Sequence, residues 1–171
     1  MGVVTFAGGK VGMEGVLKDI TPVMTGANTP AGYEVTTSSN ADTTRVGYKA
    51  FDGVHAANNV WHSAGGVPQW LQMKFPEKRT VRKFSILNPP ADQYGSCGIE
   101  SFKLQGSNNG SSFTDLGTYT NVSMADLLNE FTVQNPGAYQ YYRIHVISSG
   151  YSYSGTPYCQ ISEIKFYGEV A

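Results

Sequence analysis

The sequence has little charge of either sign and no long apolar run. Charged residues make up 15% of the 171 residues, and the formal net charge at pH 7 is -1. Proteins that bind nucleic acid or an anionic membrane surface carry a basic patch, so the composition speaks against both partners. No apolar run approaches the roughly eighteen residues of a membrane-spanning helix, and no basic segment precedes a shorter one. We therefore predict no membrane insertion and no signal peptide, with cytoplasmic synthesis; secretion as part of a larger protein is the alternative.

Cysteine is scarce. The chain has only Cys97 and Cys159, and their spacing fits neither a zinc site nor a redox CxxC pair. Without an export signal both thiols are expected to stay reduced. Both lie in segments rich in glycine and tyrosine, so a disulfide formed later in an oxidising medium remains the alternative.

Groups suited to catalysis are also few. The three histidines, His55, His62 and His145, are scattered, and His145 lies on the polar side of an alternating segment. A hydrolase or transferase needs a nucleophile beside a base, or paired carboxylates across a cleft. We find neither, and no phosphate loop, HExxH or GxSxG motif. We therefore predict that the protein is not an enzyme.

Alternation of apolar and polar residues is what the sequence has in abundance. It runs through seven segments, YEVTTSS, WLQMKF, RKFSIL, SFKLQGS, EFTVQ, YYRIHVIS and EIKFYGE. A period of two, repeated with turns between, predicts an antiparallel β-sandwich. Trp61 and Trp70 flank a strand-forming segment and are predicted to lie in the core.

Two local signals refine this prediction. Asn109 and Gly110 favour a tight hairpin turn, after which Phe113 is expected to return to the core. Residues 123–131, with Ser123 as a possible N-cap, form the one predicted helix, of one or two turns. Residues 1–20 are glycine-rich with scattered apolar side chains, and we predict an N-terminal arm before a domain at 21–171. The arm is either a loose terminus or a segment that docks on a neighbouring subunit.

Two distant carboxylates suggest a cation site. Asp52 lies in a glycine-containing turn, and Glu163 lies in the C-terminal strand. Hard cations such as Ca²⁺ take about six to eight oxygens from carboxylates, backbone carbonyls and amide side chains. The alternative is that Asp52 only caps its turn and Glu163 is an exposed strand residue.

The order of motifs along the chain resembles the discoidin, or coagulation factor type C, family of galactose-binding-like domains. The resemblance runs from about Thr21 to Val170 and rests on YEVTTSS, AFDG followed by WHS, PQWLQMKF, VRKFSIL, IESFKLQGSNNGSSFTDLG, YYRIHVIS and ISEIKFYG, in that order. It implies a jelly-roll sandwich of about eight strands with a structural Ca²⁺. The implied ligands are the Lys49 carbonyl, Asp52, the Val54 carbonyl, Asn59, the Ser162 carbonyl and Glu163.

Two candidate loops contain both aromatic rings and hydrogen-bonding groups, as a sugar site requires. They contain Asn88, Asp92, Gln93 and Tyr94 in one loop and Tyr151, Tyr153 and Tyr158 in the other. In sugar-binding members of the family, loops at these places line the site together with the histidine after the tryptophan, here His62. Many galactose binders have an arginine where this chain has proline, so the particular sugar is not implied. Ordinary packing is the alternative role for the tyrosines.

These observations predict a non-catalytic, lectin-like adhesion module that binds a cell-surface glycan. A single sugar site is weak, so display in many copies on an assembly, or as a homo-oligomer, is expected. The chain also resembles accessory proteins of bacteriophage virions, such as tail-fibre or capsid-decoration components, docked through the arm. The alternative is a structural subunit that binds no sugar.

Overall fold

The computed structural model describes residues 16–91, 98–122 and 124–169. Strands make up almost all of its regular structure, with one 3-10 helix at Gly47–Phe51. The strands are β1 Lys18–Asp19, β2 Glu34–Thr37, β3 Trp61–His62, β4 Gln69–Leu87, β5 Ile99–Ser107, β6 Thr114–Thr120, β7 Leu128–Thr132, β8 Ala138–Ser149, β9 Ser152–Tyr153, β10 Thr156–Pro157, β11 Gln160–Ile161 and β12 Glu163–Gly168. None of the described residues form a helix long and apolar enough to cross a membrane.

The long strand β4 belongs to both layers of the fold. It pairs with β2 up to Lys74 and with β8 up to Thr80, and then with β12 from Val81 and with β7 from Lys83. Its register against β8 shifts between Lys74 and Arg79, where the strand passes from one layer to the other. The eight strands form one hydrogen-bonded network, which β4 divides into a five-stranded layer, β2-β4-β8-β5-β6, and a four-stranded layer, β1-β12-β4-β7. All these pairs are antiparallel, so the predicted antiparallel β-sandwich of about eight main strands is confirmed.

Side-chain alternation along β4 decides which tryptophan is buried. Leu71 and Met73 point into the core, so Trp70 must point to the other side of the sheet, because successive side chains of a strand alternate. Trp70 is half-buried there. Trp61 is fully buried and donates its indole N–H to the Ser39 carbonyl oxygen at 3.1 Å. The core prediction is thus confirmed for Trp61 and wrong for Trp70.

Aromatic rings join the two sheets. Phe84 of the four-stranded sheet packs edge to face on Phe102 of the five-stranded sheet, with ring centroids 6.0 Å apart. Burial of one such side chain stabilises the fold by about 1.5–3 kcal/mol. Tyr142 stabilises the bend of β4 through its hydroxyl group. This hydroxyl accepts from the Val81 N–H at 3.1 Å and donates to the Arg79 carbonyl oxygen at 2.6 Å. Burial raises the pKa of Tyr142 to about 12.

The predicted helix at 123–131 is wrong. After a turn at Asp126, which has a φ of 58°, the chain forms β7 and pairs with the end of β4. Phe131 stacks on Phe84 at 4.9 Å, whereas Leu128 is exposed. The hydrogen-bonding edge of β4 therefore outweighs the local helix preference. Ser123, the predicted N-cap, lies outside the described residues.

Two further expectations need correction. Phe113 follows the Asn109–Gly110 turn but lies half-buried over Arg143, outside the core, because the polar face of the sheet offers it a stacked cation. The predicted arm also ends too late. β1 pairs with β12, and the Ile20 N–H donates to the Phe166 carbonyl oxygen at 2.9 Å, so residues 18–20 belong to the domain. Residues 1–15 lie outside the described part.

Candidate functional site

Strands β3 and β11 bring two predicted loop regions together. His62 lies opposite Gln160 in this antiparallel pair. Just beyond it, the Ser63 N–H donates to the Cys159 carbonyl oxygen at 2.9 Å, and the Cys159 N–H donates to Ser63 Oγ at 3.0 Å. The residues after Trp61 are therefore held against the segment that carries the tyrosines.

His62 and Tyr158 form an edge-to-face pair. Their ring centroids are 5.7 Å apart and the rings are inclined by 73°. Gln160 Nε2 donates to His62 Nδ1 at 3.1 Å, which fixes the ring orientation. Tyr151 is half-buried, and its carbonyl oxygen accepts from the Tyr158 N–H at 3.1 Å. Three of the predicted ligand residues are thus neighbours.

Tyr153 stands at the tip of the hairpin formed by β9 and β10. It pairs with Thr156, and the turn between them has Ser154 at φ 49° and Gly155 at φ 78°. Two successive positive φ values match the two-residue turn that suits the twist of a hairpin. The side chain of Tyr153 is 60% exposed. A rigid backbone therefore presents a large aromatic ring to solvent.

The hairpin rests on the loop 63–68. The Gly66 N–H donates to the Pro157 carbonyl oxygen at 2.8 Å. A Cβ on Gly65 would lie 2.4 Å from Thr156 Cγ2 and 3.2 Å from the Tyr158 ring, so only glycine permits this approach. None of the residues 61–68 or 150–162 is Asp, Glu, Lys or Arg. These two segments thus carry no charged side chain of their own.

The other predicted ligand loop is only partly described. Asn88 is fully buried, and its Nδ2 donates to the carbonyl oxygens of Val122 and Met124 at 2.6 and 2.8 Å. Its Oδ1 accepts from Asn121 Nδ2 at 2.9 Å. A ligand on the surface cannot reach this amide, so the predicted role of Asn88 in ligand binding disagrees with its burial. Asp92, Gln93 and Tyr94 lie outside the described residues.

Only one of the two cysteines lies within the described ranges. Cys159 is buried with a free thiol, and burial raises its pKa to about 11. Cys97 lies outside the described residues, so the bridge stays a prediction. Gly98, the next residue, forms an isolated parallel bridge with Gln160.

Four of the six predicted calcium ligands form one hydrogen-bonded cluster. The Val54 N–H donates to Asp52 Oδ1 and to Glu163 Oε1, both at 3.0 Å. Asn59 Nδ2 donates to both Asp52 oxygens at 3.0 and 3.1 Å and to the Val54 carbonyl oxygen at 2.8 Å. Lys49 approaches with its ammonium group, 3.3 Å from Asp52 Oδ2. Sequence positions far apart thus meet at one place.

The chemistry of this cluster fits a hard cation. Glu163 is 8% exposed, and burial, together with the nearby Asp52, raises the pKa of its carboxyl to about 8. Two carboxylates with a backbone carbonyl are oxygen donors of the kind Ca²⁺ takes. A half-turn of the Asn59 side-chain amide would place its oxygen where Nδ2 now lies, beside the Asp52 carboxylate and the Val54 carbonyl oxygen. No group of three or more His, Cys, Asp or Glu side chains suited to a metal occurs within the described ranges. The cluster itself contains two carboxylates, so its other oxygens would have to come from backbone and amide groups.

A contact that the sequence did not predict involves His55. His55 lies between Ser162 and Asp126, with Nδ1 2.7 Å from Ser162 Oγ and Nε2 2.8 Å from Asp126 Oδ1. Ser162 is fully buried, so this Ser-His-Asp chain does not offer an accessible nucleophile. It ties the turn at Asp126 to the carboxylate cluster. No sequence signal pointed to Asp126, since 71 residues separate it from His55.

Comparisons with known proteins agree with this fold. The family description "F5/8 type C domain" matches residues 34–164. No curated protein matches the chain. Among solved structures, the family 32 CBM from C. perfringens NanJ in complex with galactose is 20% identical with a TM-score of 0.64, and the match covers 80% of this chain and 93% of that one.

Two further solved structures share the fold. CBM32-3 from a family 31 glycoside hydrolase of Clostridium perfringens is 20% identical with a TM-score of 0.67, covering 81% of this chain and 92% of that one. The CBM32 of AlyQ in complex with 4,5-unsaturated mannuronic acid is 18% identical with a TM-score of 0.61, covering 77% and 92%. The antiparallel sandwich and the match over residues 34–164 lead to one conclusion: this chain belongs to the F5/8 type C, or discoidin-like, domain family.

Proposed function

We propose that this chain is a non-catalytic carbohydrate-binding module whose sugar site lies beside the Tyr153 hairpin. The observation that carries the proposal is the exposed Tyr153 ring on a rigid turn, next to the His62–Tyr158 pair. An aromatic ring contacts the apolar C–H face of a sugar, and imidazole, phenol and amide groups bind its hydroxyls. Recognition loops on a rigid β scaffold are a common arrangement.

The ligand we propose is an uncharged glycan. No acidic or basic side chain lies in the two segments that form this surface, 61–68 and 150–162. A charged sugar would therefore gain no ion pair from these two segments in return for its desolvation. The solved relative from NanJ, in complex with galactose, offers a precedent for an uncharged sugar on this fold.

A structural Ca²⁺ is part of the proposal. Asp52, Asn59, Glu163 and the carbonyl of Val54 would hold it, and the ion would neutralise two carboxylates that otherwise repel each other. The same chain segments continue into β3 and β11. The cluster therefore anchors both strands that position His62, without itself touching the sugar.

The weak affinity expected of a single sugar site favours display of the domain in many copies. A lone sugar site binds at about millimolar Kd, or about 4 kcal/mol, so linked copies are needed for firm adhesion. We propose that the N-terminal segment docks the domain on a larger assembly, such as a phage virion, that presents many copies to a cell-surface glycan. A structural subunit without sugar binding is the competing function.

An NMR titration tests the sugar site. Adding galactose, N-acetylgalactosamine or mannose to labelled protein should shift the resonances of His62, Tyr153 and Tyr158 for at least one sugar, with little change at Tyr167 on the four-stranded sheet. Saturable shifts confined to another part of the molecule, or none with any of a broad sugar panel, would contradict the proposed site.

A further inference from the structure

The outer face of the five-stranded sheet carries a row of polar side chains. Thr36, Gln72, Arg143, Gln105 and Asp115 lie opposite one another in register, one from each strand. Gln72 Nε2 donates to Thr36 Oγ1 at 3.2 Å, and Gln105 Nε2 donates to Asp115 Oδ1 at 2.7 Å. Adjacent strands are about 4.8 Å apart, so the row spans about 19 Å of flat surface.

Arg143 occupies the middle of this row in a fixed position. Its guanidinium carbon lies 4.3 Å from the centroid of the Trp70 ring and 3.6 Å from that of Phe113. Its Nε and Nη2 donate to Gln72 Oε1 at 3.2 and 2.9 Å. Nη1 forms no hydrogen bond with any described residue. The two rings and Gln72 thus hold the guanidinium in one orientation.

The charge of Arg143 has no counterion within the described ranges. Asp115 pairs with Lys103 at 2.6 Å, and Glu34 lies opposite Lys74 across the β2–β4 ladder. None of the eight ion pairs among the described residues includes Arg143, and the neutral amide of Gln72 is the only polar partner it has there. As far as the described residues extend, the positive charge of Arg143 is therefore left without a carboxylate partner.

The histidine on this face does not supply a counterion either. His145 lies opposite Trp70 and Lys103 in the adjacent row. Burial, with Arg143 and Lys103 nearby, lowers the pKa of His145, so the ring is neutral at pH 7. A half-buried cation without a counterion is costly, and a planar guanidinium favours a carboxylate, which it binds through two parallel hydrogen bonds.

We propose that this face is a second binding surface, at which Arg143 binds a carboxylate of an acidic polysaccharide. A uronic acid chain brings hydroxyls beside its carboxylate, and Gln72, Gln105 and their neighbours in the row offer neutral groups to bind them. The surface is separate from the Tyr153 hairpin and does not depend on the proposed loop site. It takes a charged sugar chain, whereas the loop site takes an uncharged one.

Affinity electrophoresis in gels with polygalacturonate tests the proposal, because its methyl ester has the same backbone without the charge. Polygalacturonate should retard the wild type and the methyl ester should not. Arg143→Gln should weaken binding by about tenfold or more, the effect of one charge-assisted hydrogen bond. Arg82→Gln is the matched control, since Arg82 pairs with Glu169 away from this face.

A second variant removes the free charge without disturbing the stack. Gln72→Glu keeps the shape of the side chain and gives Arg143 an internal carboxylate, so the protein should melt no lower than wild type and lose the retardation. Tyr153→Ala should bind polygalacturonate like wild type. The proposal would be overturned if the methyl ester retarded the protein equally, if neither polymer retarded it, or if Gln72→Glu bound polygalacturonate undiminished. Equal binding of polyglutamate would also overturn it and would indicate an acidic peptide as the ligand.

Discussion

The contact between Gly65 and the hairpin allows a sharp test of how the fold positions the proposed sugar site. A Cβ at residue 65 would lie 2.4 Å from Thr156 Cγ2, whereas carbon atoms normally approach no closer than about 3.5 Å. In Gly65→Ala the hairpin must therefore retreat by about 1 Å. The φ of Gly65 lies outside the left-handed region, so the backbone itself accepts alanine.

The cost follows from overpacking. Extra methyl groups forced into a packed contact cost about 1–3 kcal/mol, partly offset by the lower chain entropy of unfolded alanine. For a domain of this size each kcal/mol moves the Tm by about 2–4 °C, so we expect Gly65→Ala to melt about 2–8 °C lower. The aromatic NMR resonances of Tyr158 should move, because its ring also lies within 3.3 Å of the added carbon.

Two matched variants isolate the cause. Thr156→Ser removes the clashing Cγ2, so the double variant should recover most of the lost Tm. Gly26→Ala places its Cβ no closer than 3.6 Å to any atom and should melt like wild type. If Gly65→Ala matches wild type in both Tm and Tyr158 resonances, the loop 63–68 does not position the hairpin.

Three further predictions concern the scaffold. Ca²⁺ at a hundredfold excess over its Kd should raise the Tm by about 5–10 °C relative to a sample with a chelator, and Asp52→Ala should abolish this difference. A wild-type Tm that does not change with Ca²⁺ would contradict the site. Because the pKa of Tyr142 is raised from 10.0 to about 12, its contribution to stability is complete below pH 10 and disappears by about pH 12. Urea unfolding should show a loss of about 3 kcal/mol there that Tyr142→Phe lacks. Asn88→Ala should lower the free energy of unfolding by about 1–3 kcal/mol, because the carbonyl oxygens of Val122 and Met124 lose their hydrogen-bond donor. An unchanged urea unfolding curve would contradict this structural role of Asn88.

The sequence predicted the sheets because period two is a direct consequence of strand geometry. Core residues of β4 and β8 recur at alternate positions, as at Leu71 and Met73 or Ile144 and Val146. The family motifs around Asp52 and Glu163 predicted that these two carboxylates lie together. What the pattern does not contain is which side chains of neighbouring strands share a face with Trp70. Trp70 alternates with buried Leu71, and only the pairing with β8 shows that its face carries Arg143.

The misses share a physical cause, which is contact between residues distant in sequence. Residues 123–131 have a local helix preference, but the free edge of β4 converts their end into β7. Asn88 has the composition of a ligand residue, yet the carbonyls of Val122 and Met124 require it inside. The His55–Asp126 contact depends on where two loops end in space. Single-sequence patterns report local geometry and cannot provide such pairings.

Sugar binding at the Tyr153 hairpin is the central claim, and a glycan array probed with multivalently displayed protein in Ca²⁺ tests it most directly. The account predicts binding to a defined uncharged glycan that a Tyr151→Ala, Tyr153→Ala double variant loses and that Tyr167→Ala retains. Silence across bacterial and animal glycans, or binding that the double variant retains in full, would contradict the account and favour a purely structural role.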